Sequence, residues 1–225
     1  MKSRKAMPQD APDLSRRRFI VAGATVSGTF LLGIPLTAAL AEDSPPDGDG
    51  RIGFYIHILE NGDVAVGHAQ PEIGQGLRTT LVMLVAEEMD LIWERIRIEP
   101  MPLGIVKTAE GYTWKYGGQG VGGSTGITAN WEFMREVGAT ARQMLILAAA
   151  ERWSADAALC RTEPGVVICD AAGKRARYSE LAARAAELPV PDGKPPLKPR
   201  DQYRIVGHAQ NVVDARDIVT GKAQY

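Results

Sequence analysis

Residues 69–90 constrain the fold of this 225-residue chain more than any other stretch. They read Ala-Gln-Pro-Glu-Ile-Gly-Gln-Gly-Leu-Arg-Thr-Thr-Leu-Val-Met-Leu-Val-Ala-Glu-Glu-Met-Asp. The Gly74-Gln75-Gly76 turn leads directly into a predicted amphipathic helix over 77–89, with Leu77, Leu81, Leu84, Val85 and Glu88 spaced along one face. A helix start carries unpaired N–H donors and a partial positive charge, so its natural guest is anionic or rich in acceptors. Glycine on both flanks lets backbone approach closely, and Gln75 adds a donor and an acceptor. The competing reading of these residues alone is a tight strand-to-helix turn with no ligand, because short glycine motifs recur without function.

The N-terminus is the second strong signal. Ser15-Arg16-Arg17-Arg18-Phe19-Ile20 is a twin-arginine motif, and residues 19–41 that follow carry no charge. Ala39-Leu40-Ala41 fits a small-x-small cleavage site ahead of Glu42-Asp43. Residues 1–41 are therefore expected to be a twin-arginine signal, removed on export to the periplasm and left out of the fold. A retained membrane anchor is the alternative, since the stretch is long enough to span a bilayer. Its glycines, threonines and Pro35 make it only mildly apolar. The twin-arginine route carries proteins already folded, which fits a complex prosthetic group loaded before export.

Charge narrows the partners. Residues 1–18 hold six Lys/Arg against two Asp, so of the chain's formal charge of −1, residues 42–225 carry −5. A mildly acidic chain without a basic stripe argues against nucleic acid. The two cysteines, Cys160 and Cys169, resemble no four-cysteine iron–sulfur or zinc set. They flank Pro164-Gly165, so a bridge or two separate thiols both remain open.

The rest of the chain reads as α+β. Residues 42–50 are a Ser/Pro/Asp/Gly linker, and residues 51–188 form the main domain. Ile52, Phe54, Ile56 and Ile58 alternate as a strand that leaves His57 facing solvent; Asn61-Gly62 marks a hairpin, and 64–68 is the return strand. Residues 93–99 predict another strand, and 100–120 a long irregular loop. A second glycine-rich run, 117–126, precedes a helix over 131–153 that Asn130 or Thr128 caps, with Met134, Val137, Ala141, Leu145 and Ala148 buried. Two glycine turns opening two neighbouring helices imply two helix starts aimed at one elongated anion; a flexible surface loop is the plainer reading of the second run. Beyond Trp153 come a hairpin (166–169 and 175–177), a short helix from a Ser179 cap, a Pro-rich connector over 189–202 expected to be extended and unpacked, and a short strand at 203–206. The tail of 203–225 has no periodicity of its own and reads as the opening of a further domain.

No catalytic constellation assembles. His57, His68 and His208 lack sequence partners; an ordinary strand-end histidine is the plainer reading of His68. There is no Gly-x-Ser-x-Gly, His-Glu-x-x-His or phosphate-loop motif, and adjacent helical residues Glu87 and Glu88 cannot face one another as an acid/base pair. The chain shows apparatus for holding a ligand and none for the chemistry.

Pro71-Glu72-Ile73-Gly74-Gln75-Gly76 with the following Leu-Val-Ala-Glu-Glu-Met-Asp, then Gly122-Gly123-Ser124-Thr125 before Trp131-Glu132, resembles the large (beta) subunit of the isoquinoline 1-oxidoreductase and membrane-associated aldehyde dehydrogenase group, within the xanthine oxidase family. Asp214-Ala215-Arg216-Asp217-Ile218-Val219-Thr220-Gly221-Lys222 is similar to the start of that family's a/b hammerhead domain. The resemblance implies an α+β fold, a β-hairpin and sheet with two packed helices forming part of a molybdopterin-binding domain, then the opening of the hammerhead. It implies molybdopterin cytosine dinucleotide as cofactor, with Gly74, Gln75 and Gly76 and then Gly123, Ser124 and Thr125 lining it, and no iron–sulfur cluster in this chain. It also implies oxidation of aldehydes or N-heterocycles with water as oxygen source. The implied partners are a small [2Fe-2S] subunit and a cytochrome c subunit, through which the protein would associate with a membrane.

Two positions depart from the pattern: Ile73 stands where Met is usual, and Gly126 where Ser is common. The family's base glutamate and substrate pocket lie beyond the hammerhead, so the cofactor would be shared with a C-terminal part and this chain is expected to be inactive alone. A non-catalytic periplasmic binding or assembly module, or a non-functional gene fragment, are the alternatives.

Overall fold

Asn61-Gly62 makes the turn that organises the main sheet. Gly62 takes φ 85°, Leu59 N–H donates to the Asp63 carbonyl at 2.9 Å, and the chain reverses between β3 (Phe54–Ile58) and β4 (Val64–His68). In this computed structural model the described residues are 21–24, 30–33 and 54–223, less 102, 110, 115 and 117. The chain passes from β4 into helix α1 (Leu77–Met89) and returns as β5 (Ile96–Pro100), parallel to β4, with Val64 opposite Ile96 and Val66 opposite Ile98. A parallel return needs a crossover, and α1 supplies it.

The five-stranded sheet runs β1-β2-β3-β4-β5, where β1 (Val21–Ala24) and β2 (Phe30–Gly33) are antiparallel to their neighbours. Both strands come from the segment 1–41 expected to stand outside the fold; the rest of that segment lies outside the described residues. The uncharged stretch meets the open edge of β3, and Phe30 is fully buried there. The strand β3 does not alternate cleanly between core and solvent. Tyr55 is buried as well as Ile56 and Ile58, and His57, expected in solvent, is half-buried, which holds its pKa below the ordinary value. Helices pack on the sheet, and β4 is buried along its whole length.

Helix α1 has the predicted bounds but not the predicted single apolar face. Thr79, Val82, Ala86, Glu87 and Met89 are buried together with Leu77, Leu81, Leu84 and Val85. It lies between β4 and the long helix α2 (Trp131–Trp153), so it needs no solvent face. The α2 core positions Met134, Val137, Ala141, Leu145 and Ala148 are buried as the 3.6-residue period predicts. Each large apolar side chain so buried contributes about 1.5–3 kcal/mol.

A second sheet, β8 (Cys160–Glu163), β9 (Val166–Cys169) and β10 (Lys174–Arg177), leads into α3 (Tyr178–Glu187), which packs on α2 and on β1 to β3. Ser179 is not its cap. The helix begins one residue earlier, and the Glu180 carboxylate accepts the Arg177 N–H at 2.7 Å. Within 100–120 there is a further hairpin, β6 (Ile105–Thr108) and β7 (Gly111–Trp114), with Tyr112 and Trp114 exposed. Residues 203–206 are not a strand: the Tyr203 N–H closes a turn on the Arg200 carbonyl, and those of 204–206 turn inward to a buried carboxylate described below. The tail holds one short helix, α4 (Ala215–Val219), with no buried side chain.

Candidate functional site

The first glycine turn is built around Glu72. Its carboxylate accepts N–H groups from Gly74 (2.8 Å), Gly76 (3.0 Å) and Arg78 (2.9 Å), the first residues of the turn and of α1. Burial pulls the Glu72 pKa up, but the backbone donors of Arg78, Gly76, Gly74 and Gln75 outweigh it and hold it below the ordinary value. The anion expected at this helix start is therefore supplied, in this structure, by the chain's own side chain. Gln75 folds onto the same turn: its Oε1 accepts the Ile73 N–H at 2.7 Å and its Nε2 donates to the Pro71 carbonyl at 3.1 Å. Gly74 and Gly76 take φ 96° and 74°, and nothing lies within 4 Å of where a Cβ on either would stand. Such φ values favour glycine, and the outer surface of the turn is open.

The second glycine run does not open α2 directly. A one-turn 3-10 helix, Gly122–Ser124, is followed by a turn over 126–130 before α2 begins at Trp131. Neither Asn130 nor Thr128 caps α2 by its side chain. Asn130 instead donates to the Gly126 carbonyl at 2.8 Å and accepts from Gln70 at 3.0 Å. Gln119 donates to the Ala69 carbonyl at 3.0 Å and accepts the Gly104 N–H at 2.7 Å. A Cβ on Gly126 would stand 3.0 Å from Leu77 Cδ1. The two glycine segments are thus stitched side by side, and Gly74, Gln75, Gly123, Ser124 and Thr125 are exposed with Gly76 half-exposed.

The tail reaches the same corner. Arg78 pairs with Asp214 at 3.0 Å, and Thr79 Oγ1 accepts the Val213 N–H at 3.2 Å. Close by, His68 is buried with Nδ1 2.9 Å from the Gln70 carbonyl, so Nδ1 carries the proton; burial lowers its pKa. His68 Nε2 and Arg78 Nε are buried without a hydrogen-bond partner. His208 is exposed, and among the described residues no group of His, Cys, Asp and Glu is arranged to hold a metal ion. A cleft of about 140 Å³ lies elsewhere, between the β3–β4 turn and Pro164-Gly165, and none of its walls belongs to either glycine segment.

At the other end of α1, sequence reasoning missed a cluster of three buried carboxylates. Glu87 accepts the N–H groups of Arg204 (2.9 Å), Ile205 (2.6 Å) and Val206 (2.8 Å). Glu88 pairs with Arg135 at 2.6 Å and Arg142 at 3.3 Å and accepts the Lys198 N–H at 3.0 Å. Asp90 takes Lys198 Nζ at 2.6 Å, Arg204, and the Thr162 hydroxyl at 2.6 Å. The Pro-rich connector is not wholly extended, since it bends at Asp192-Gly193 and ends in a 3-10 turn, Arg200–Gln202, and it is pinned: Arg142 donates to the Pro196 carbonyl, Arg135 to the Lys198 carbonyl, and Pro195 is buried. Three acids in four residues at the end of an apolar helix were the available signal.

Residues 14–218 match the family model described as the molybdopterin cofactor-binding domain. The chain is similar to isoquinoline 1-oxidoreductase subunit beta of Brevundimonas diminuta, 31% identical over 84% of this chain and 24% of that protein. It is similar to the membrane-bound aldehyde dehydrogenase [pyrroloquinoline-quinone] of Gluconacetobacter polyoxogenes, 27% identical over 90% of this chain and 26% of that protein. Among solved structures, the reconstituted CO dehydrogenase from Oligotropha carboxidovorans aligns at TM-score 0.42 and 22% identity, over 63% of this chain and 17% of that one. The chain thus spans about a quarter of the length of these two curated relatives.

Proposed function

Because the chain belongs to the molybdopterin cofactor-binding domain family, within the xanthine oxidase family of molybdenum hydroxylases, we propose that it is the N-terminal portion of a large subunit and supplies one wall of its cofactor site. The observation that carries this reading is the side-by-side placement of two exposed glycine segments, joined through Gln70–Asn130 and Gln119–Ala69. The residues present leave room for an elongated ligand, since the space over Gly74 and Gly76 is open and Gly123 at φ 65° leaves backbone exposed beside Ser124 and Thr125.

In this reading the ligand is molybdopterin cytosine dinucleotide, completed by polypeptide beyond this portion. When bound, the group supplies oxidative hydroxylation of an aldehyde or N-heterocycle, with water as the oxygen source. The chain's own residues bind and orient. Gln75 would exchange its contacts with Pro71 and Ile73 for the cofactor, Ser124 would offer its hydroxyl and N–H, Thr125 would turn its hydroxyl away from the Gly122 carbonyl, and Glu72 keeps the turn in shape. The partners in this reading would be a small [2Fe-2S] subunit to take the electrons and a cytochrome c subunit as membrane-associated acceptor. Residues 1–41 direct export to the periplasm.

The test is Gln75→Ala in the complete enzyme, with molybdenum counted by mass spectrometry and CMP counted after acid hydrolysis. The expected result is a several-fold loss of both per polypeptide. Unchanged contents would remove Gln75 from the site, and molybdenum without CMP would replace the cytosine dinucleotide with another form.

A further inference from the structure

Cys160 on β8 and Cys169 on β9 stand directly opposite one another in the antiparallel register. Both lie on the inner face of the hairpin, Cys169 fully buried and Cys160 8% exposed. The strands are joined by two residues, Pro164 and Gly165, with Gly165 at φ 73° as the third position of a Pro-Gly type II turn requires. Such a connection closes on a hydrogen-bonded pair, Glu163 and Val166, and the rungs alternate from there. Cys160 and Cys169 fall on a non-hydrogen-bonded rung, where Cα atoms are about 4.5 Å apart and side chains approach most closely. That spacing lies within the roughly 4.4–6.8 Å that a disulfide spans.

The hairpin is held in this register from outside. Gly165 N–H donates to the Asp90 carbonyl at 2.9 Å, Tyr178 N–H to the Gly165 carbonyl at 3.0 Å, and Arg161 pairs at 3.1 Å with Asp170, the residue just past the end of β9. The thiols already feel each other. Burial, and then a hydrogen bond with the Cys169 thiol, pushes the Cys160 thiol up to about 11.

We propose that Cys160 and Cys169 form a redox site that closes as a cross-strand disulfide under oxidising conditions. With a small disulfide such as oxidised glutathione, the Cys160 thiolate attacks one sulfur, breaks the S–S bond and releases one glutathione thiolate. The Cys169 thiolate then attacks the Cys160 sulfur of the mixed disulfide and releases the second. One protein S–S bond forms and one small-molecule S–S bond breaks. Two electrons pass to glutathione, and the two thiol protons end on the released thiolates or in water. Cys160 is the first nucleophile because it is the more exposed residue of the two.

The experiment takes the full chain, incubates it with oxidised glutathione at about pH 8, quenches in acid, unfolds it and adds N-ethylmaleimide without reductant. Intact mass spectrometry is expected to show no maleimide and a mass lower by two hydrogens, with two maleimides added once reductant is supplied. Two maleimides without reductant, a retained glutathione, or a covalent dimer would each overturn the proposal. The rate of closure is expected to rise about tenfold per pH unit below the thiol pKa, since only the thiolate attacks.

Discussion

Gly138 of α2 lies against the Val85 carbonyl of α1, so closely that a Cβ on Gly138 would stand 2.8 Å from that oxygen and 2.9 Å from the Glu88 Cβ. The obstacle is helix backbone, which cannot swing aside as a side-chain tip does. Gly138→Ala is therefore expected to push the two helices apart and destabilise the chain by about 1–3 kcal/mol, despite the better helix propensity of alanine. Thermal unfolding followed by circular dichroism measures it. A melting temperature at or above that of the parent would mean the crossing is looser than this contact indicates.

Glu87 is expected to hold the end of the connector in place. Its carboxylate takes three consecutive N–H groups, from Arg204, Ile205 and Val206. Glu87→Leu removes the acceptor and leaves the 204–206 N–H groups unpaired, at a cost of about 1–3 kcal/mol. Hydrogen exchange separates this from a general loss of stability: the amides of 204–206 should lose protection out of proportion to those of α2. Equal loss everywhere would argue against a specific clasp.

These carboxylates also show where reading the sequence stops. The bounds of α1 and α2 were legible because Gly76 and the apolar spacing mark them within the chain itself. The partners of Glu87 and Glu88 were not, since they lie more than 45 residues away and carry no local pattern. Adjacency ruled out an acid/base pair, yet gave no hint that each acid faces a different segment. The glycine segments were legible as a pair, but the occupant of the first helix start was not. A donor-rich turn accepts any anion of the right reach, and Glu72, only two residues before Gly74, reaches it first.

That occupancy predicts a pH response. The folded-state pKa of Glu72 is held below the ordinary 4.5, so its stabilisation of the turn is complete above that value and lost as pH falls through the lowered folded pKa. The amide resonances of Gly74, Gly76 and Arg78 should titrate together with a midpoint below 4.5, and Glu72→Gln should abolish the common titration. A midpoint at or above 4.5 would show that the backbone donors do not govern this carboxyl.

Gly126 joins the two glycine segments by packing rather than by hydrogen bonding. A Cβ there would stand 3.0 Å from Leu77 Cδ1 and 3.2 Å from Val121 Cγ1. Leu77 is 1% exposed and is the first residue of α1, so its side chain has little room to yield without moving the helix start. The resemblance to molybdenum hydroxylases makes Ser the common residue at this position, yet Gly126→Ser is expected to cost this chain about 1 kcal/mol. The drop in melting temperature should be roughly 2–4 °C for a chain of this size. Because the displaced atom belongs to Leu77, the Gly76 and Leu77 amide shifts should move with it while those of β8 to β10 stay fixed. If the serine is accepted with stability unchanged, Leu77 has an alternative rotamer, and the two segments touch less rigidly than the 3.0 Å approach implies.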